Sequence, residues 1–436
     1  MAAIFYAGGV KNSAVVKSSS RGSGRAHPRA FFLLPAGLCL LAGLNGALLL
    51  LGLPAPLRAD RLEQVHGPLM VLGFVGTVIA LERAVALRAR LGYLAPVLLG
   101  GGGLLTLTPA PLWLGQLLLL AGSIGLFLLY TRIWRRQAAA PLVVETIGAV
   151  MAIGAAGLWL SGVAVPFLAP WLVGFLVLTV LGERIELGGV HLRLATGAPP
   201  VVTWAVVSVL GYLASAAIAL VWPAVGYRLL GLALLAAVGL VLSIDVARRT
   251  VRTAGLTRYM AVAMLAGYGW LIVAAGIWFL AGPVFQGPGY DAVLHAVFLG
   301  FVISMIMAHA PVILPAVIRR PLPYRPVLYV PLALLHLSLL LRVLVGDAWD
   351  VPRAVQIGGV ANIVGVLGFL VLAVVSVLLP PPTRPAEETA RIRSRSVRLP
   401  DRERLPRARD PPCDRAPRST YPPTCSCSPG SSRQEL

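Results

Sequence analysis

Histidine is the residue type best suited to chemistry in this chain of 436 residues, and four of its six copies stand inside or at the mouth of apolar runs long enough to cross a bilayer. An ionisable side chain at that depth is costly, and it usually faces a bundle interior, a cavity or a cofactor. His295 and His309 share the segment 290–320, fourteen positions apart. On an α-helix that spacing sets them within roughly 40° of one face and about 21 Å apart along the axis. His66 opens the stretch HGPLMVLGF, with Pro68 in the first turn of its helix and Met70 one turn below on the same face. Counting inward from the helix ends puts His66, His295 and His336 in one layer near the outer surface. Two imidazoles facing each other across a ring would hold a haem. Two or three, with Met70 as a soft addition, would hold copper. The plainer alternative is a separate interhelical hydrogen bond for each histidine.

A second layer of ionisable groups lies at the opposite end of the same helices. It comprises Glu82 and Arg83, Glu145, then Glu183, Arg184 and Glu186 in GERIELGG, together with Asp245 and His309. Glu183 and Glu186 are three apart and share a helix face. Glu82, Glu183, Glu186 and Asp245 are the proton-relay candidates, and a second metal site including His309 is the other functional reading. Charge neutralisation between helix ends is the structural one. The letters LGFV recur at 72–75 and 299–302; aligning them sets Glu82 opposite His309 and His66 two places from His295.

The elements that must position these residues are membrane helices. The chain is 58 % hydrophobic and 12 % charged, against about 25 % charged residues in soluble domains. Apolar runs of the length that a 30 Å hydrocarbon core requires are expected near 31–54, 64–87, 91–108, 111–134, 141–165, 167–190, 199–222, 226–247, 257–281, 290–318, 324–345 and 354–379. The third is short and carries Gly100 to Gly103. With the N-terminus inside, the inner loops and helix ends hold fifteen arginines and the outer ones five. That asymmetry predicts an all-α bundle of about twelve spans with both ends cytoplasmic. The net charge of +20 reflects this topology and calls for no nucleic acid.

Residues 1–29 are Ser/Gly-rich and basic, with His27 solvated. Residues 30–380 form the membrane domain. Residues 381–436 are rich in Pro, Arg and Ser without apolar periodicity, the composition of a disordered cytoplasmic tail; it also resembles an out-of-frame reading of GC-rich coding sequence. His191 is expected at the interface. There is no C-x-x-C-H for covalent haem attachment, no H-E-x-x-H, no nucleophile elbow and no phosphate loop.

HGPLMVLGF, the run DAVLHAVFLGFVISMIMAHAPVILPAV and the following LLHLSLLLRVL resemble the NnrS family of twelve-span bacterial membrane proteins. HGPLMVLGF is also distantly similar to the second helix of haem–copper oxidase large subunits, in which such a histidine ligates haem. The resemblance implies haem b on His66 and His295, with His336 as a substitute partner, copper as a further metal, and a role in nitric-oxide or redox stress. It also implies a bacterial-type inner membrane, with the lipid bilayer and an electron donor as partners. The adjacent histidine pair of the oxidases does not occur, which argues against respiratory oxygen reduction. A proton-coupled secondary transporter using the inner acids, or a membrane assembly protein, is the alternative.

Overall fold

In hydrocarbon every backbone N–H and C=O must find its partner within the chain, so apolar runs of this length become helices. A computed structural model describes residues 28–193 and 199–379, and among the described residues there is no strand. The basic N-terminus with His27, the tail, and the side chain of His191 lie outside the residues so described.

Twelve helices follow the twelve apolar runs within a few residues. They are α1 (Leu33–Leu50), α2 (Leu62–Leu87), α3 (Leu94–Leu105), α4 (Leu112–Arg136), α5 (Ala140–Leu160) and α6 (Val165–Arg193). The rest are α7 (Pro199–Val221), α8 (Pro223–Ile244), α9 (Gly255–Ala281), α10 (Gly287–Ile318), α11 (Pro326–Asp347) and α12 (Pro352–Leu378). Eleven are long and apolar enough to cross a membrane; α3, with the 3₁₀ turn before it, is shorter. Its contacts nonetheless lay it against α2. Gly92 rests against Ala84 and Gly103 against Gly73. Arg61 Nη1 then donates to the carbonyls of Thr108 and Ala110 at 3.3 and 2.6 Å. The segment therefore runs antiparallel along the whole of α2.

Three helices, α2, α6 and α10, pack on one another at the centre. The other nine form a ring around them in the order α1, α3, α4, α5, α7, α8, α9, α11, α12. The ring closes where α12 returns to α1, with Gln356 Nε2 donating to the Leu51 carbonyl at 3.0 Å. Each central helix carries a Gly–Phe pair, at 73–74, 174–175 and 300–301. Each glycine meets a neighbouring helix closely: Gly73 meets Cys39 of α1 and Gly103 of α3, Gly174 meets Met151 of α5 and Tyr212 of α7, and Gly300 meets Trp270 of α9. The chain is thus three four-helix repeats, α1–α4, α5–α8 and α9–α12, related by a pseudo-threefold axis along the helices. The LGFV letters disclose only two of the three copies.

Two of the central helices share a further irregularity. Residues Leu69–Gly76 of α2 and Ala296–Ile303 of α10 are wound as π-helix, at the same positions relative to Gly73 and Gly300. In both, the hydroxyl one turn on (Thr77, Ser304) donates to that glycine's carbonyl at 2.6 Å. A third π segment, Leu341–Asp347, forms the outer end of α11. Pro68 proves to sit inside α2 rather than in its first turn, because the helix starts at Leu62. There its missing N–H removes an intrahelical bond, and the π segment begins at the next residue. Both helices end on a non-glycine residue in the left-handed region, Arg88 and Arg319, each with φ 56°.

Candidate functional site

At the end of the bundle that the arginine asymmetry predicts to face outward, α1 and α2 fit together through small residues. Gly43 of α1 takes the Met70 side chain against its Cα, and Gly46 lies beside Leu62 and His66. That close approach lets the Gly43 carbonyl accept from His66 Nδ1 at 2.9 Å. On α10, His295 Nδ1 lies 2.8 Å from the Asp291 carbonyl and 3.2 Å from Asp291 Oδ1, one turn back. Arg342 of α11, itself buried, grips the same carboxylate with two bonds, Nε–Oδ2 at 2.8 Å and Nη2–Oδ1 at 2.7 Å. His66 is within electrostatic reach of His295, Asp291 and Arg342. In both histidines Nδ1–H is tied to a carbonyl, so Nε2 carries the lone pair, and no hydrogen bond engages it among the described residues. Backbone packing between α2 and α10 is concentrated in their inner halves, which leaves their outer halves, where these imidazoles sit, the more widely spaced.

The other two membrane histidines are occupied on both nitrogens. Trp270 Nε1 donates to His336 Nδ1 at 3.0 Å, and His336 Nε2 faces Ser304 Oγ at 3.4 Å. His336 is therefore level with Ser304, nine residues along α10 from His295, or roughly 13 Å deeper. The three imidazoles do not share one layer. Depth counted from the end of α11 missed this, because the register between antiparallel helices is fixed by the Arg342–Asp291 and Trp270–His336 contacts. His309 accepts from Arg184 Nη2 at its Nε2 (2.8 Å) and has Nδ1 on the Met305 carbonyl (2.6 Å). Met70 packs at the α1–α2 seam. Among the described residues no group of three or more His, Cys, Asp or Glu is placed to hold a metal ion.

The inner layer is built from equivalent positions of the three repeats. Glu82, Glu183 and His309 each stand nine places after their Gly. The next residue is Arg83, Arg184 and Ala310 in turn. Arg83 of the first repeat bonds Glu183 of the second, and also pairs with Glu145 of α5 at 3.4 Å. Arg184 of the second repeat bonds His309 of the third. Tyr130 of α4 lies under the Arg83 guanidinium, 5.6 Å from the ring centre. Asp245 stands apart from this chain of bonds, accepting from the Ala247 N–H (2.8 Å) and from the Tyr268 hydroxyl (2.5 Å). Asp291 was the outer-layer residue that composition did not single out; its i, i+4 spacing to His295 was the available signal.

Fold and site together define a polytopic all-α membrane protein with ionisable groups gathered at the two ends of three central helices. The chain belongs to the family described as Domain of unknown function (DUF8744), whose model matches residues 29–378. No curated protein and no solved structure matches it.

Proposed function

We propose that the protein binds haem b between α2 and α10, where His66 and His295 would hold it, and serves redox or nitric-oxide stress chemistry in a bacterial inner membrane. The observation that carries this reading is the state of the imidazoles: among the described histidines, only His66 and His295 combine an anchored Nδ1–H with an unengaged Nε2. A ligating histidine is usually oriented in that way, by a carbonyl or carboxylate on its other nitrogen. Gly43 orients His66, and Asp291, held by Arg342, orients His295. Haem b, if bound there, would supply a one-electron couple, and His66 and His295 are the residues that would hold it. The resemblance to NnrS proteins supports the stress role, and the arginine asymmetry supports cytoplasmic termini. Copper finds less support, since the five residues suggested for it fall at separate places.

The test is a reduced-minus-oxidised spectrum of protein purified in detergent from haem-replete cells. His66→Ala and His295→Ala are expected to abolish the haem b absorption, and His309→Ala and His336→Ala to retain it. A folded protein without haem would end this reading and favour the second, a proton-coupled transporter, which draws on the buried charges of the inner layer.

A further inference from the structure

We propose that Glu82 is the proton-exchanging carboxylate at the inner end of the bundle, left able to bind and release a proton because the third arginine of the inner ring is absent. The ring's geometry carries this, independently of the haem reading. Repeat one gives its arginine to the acid of repeat two, and repeat two gives its arginine to the histidine of repeat three. The same relation carried round once more would give the arginine of repeat three to Glu82. That position is Ala310. The inner part of α10 does pack on the inner part of α2, so the link is missing for want of a side chain and not for want of proximity.

Among the described residues no cation forms an ion pair with Glu82 itself. Arg83, next to it on α2, is committed to Glu183 and Glu145. Arg184 of α6 is committed to His309 of α10. The other ionisable groups about the layer are Glu186 of α6, Tyr130 of α4 and half-buried Arg29 of the turn before α1, which packs on the inner part of α10. The turn before α3 adds exposed Arg90 and Tyr93, which stacks on Phe32. Glu82 itself is half-buried and makes no hydrogen bond or ion pair among the described residues. A carboxylate in apolar surroundings with no paired cation favours its neutral form, whereas a guanidinium in contact favours the charged form by about tenfold or more. Glu82, which has no such contact, takes a proton from water at the inner surface as its O–H forms, and returns it when that bond breaks.

Dicyclohexylcarbodiimide tests this, since it condenses with protonated carboxyl groups in apolar surroundings to give a stable N-acylurea. The full-length protein in detergent is treated over a range of pH and the adduct is located by peptide mass spectrometry. Label is expected on Glu82, declining as pH rises, with less on Glu183, which bonds Arg83. Ala310→Arg should restore the third link and lower Glu82 labelling by about tenfold. Absence of label on Glu82 in the natural sequence, or equal label on Glu183, overturns the proposal without any variant having to fold. Undiminished Glu82 label in folded Ala310→Arg protein overturns the ring argument. Glu82→Gln, which should lose the adduct, confirms the assignment of the labelled peptide; an adduct that persists there overturns it.

Discussion

An imidazole with one nitrogen on a carbonyl and one with both nitrogens bonded differ in what they can do next. The first presents a lone pair; the second must give up a bond to do so. His295 belongs to the first kind because Asp291 holds it, and Asp291 is fixed by Arg342. Asp291→Asn is expected to weaken haem binding by about 10–100-fold, measured by titrating haem into the haem-free protein; unchanged affinity would show the carboxylate to be a purely structural partner of Arg342. In the inner layer, removing one member of a buried ion pair strands the other. Arg83→Ala should cost about 3–5 kcal/mol, read as a fall in thermal midpoint, and adding Glu183→Gln should return part of it. Residue type and depth in the sequence singled out His66 and His295 as candidates. They missed the role of Asp291 and misplaced His336, because a hydrogen bond between helices depends on their relative register, and no single helix encodes that.

The helices were legible because lipid leaves few choices: apolar length and arginine-rich ends mark each one. Their winding was not. The π segments of α2 and α10 depend on how Gly73 and Gly300 seat against the adjoining helices, and hydropathy is the same for α and π turns. The helix ends are the more testable feature. Arg88 and Arg319 occupy the left-handed region, where a side chain is disfavoured and glycine is not. Arg88→Gly and Arg319→Gly are each expected to stabilise the protein by about 1 kcal/mol, seen as a raised thermal midpoint in detergent. A fall of the same size would mean that the arginine side chain contributes more than its backbone strain costs.

Across residues 28–379, three tandem repeats close into one ring about three central helices. Repeats related by an axis along the membrane normal are a known way to build such bundles. The first and second repeats meet at the short turn between α4 and α5, so a chain divided there cuts no helix. Coexpressed fragments 1–138 and 139–436 should copurify as one complex, tested by affinity capture on either piece; recovery of each piece alone would mean that the repeats are not separable folding units. This symmetry escaped the sequence because α6 shares only Gly–Phe and Glu–Arg with α2, and the contacts alone show that the two sit alike.

The arginine that the third repeat lacks has a mechanical side as well. Of the three seams between central helices, α2–α6 and α6–α10 are each fastened at the inner end by a charged bond, and α10–α2 is not. That seam also has His66 and His295 at its outer mouth, about 24 Å from Glu82. It is the one joint in the core that can widen without separating a charged pair. Any opening of the bundle should start there, between the first repeat and the last.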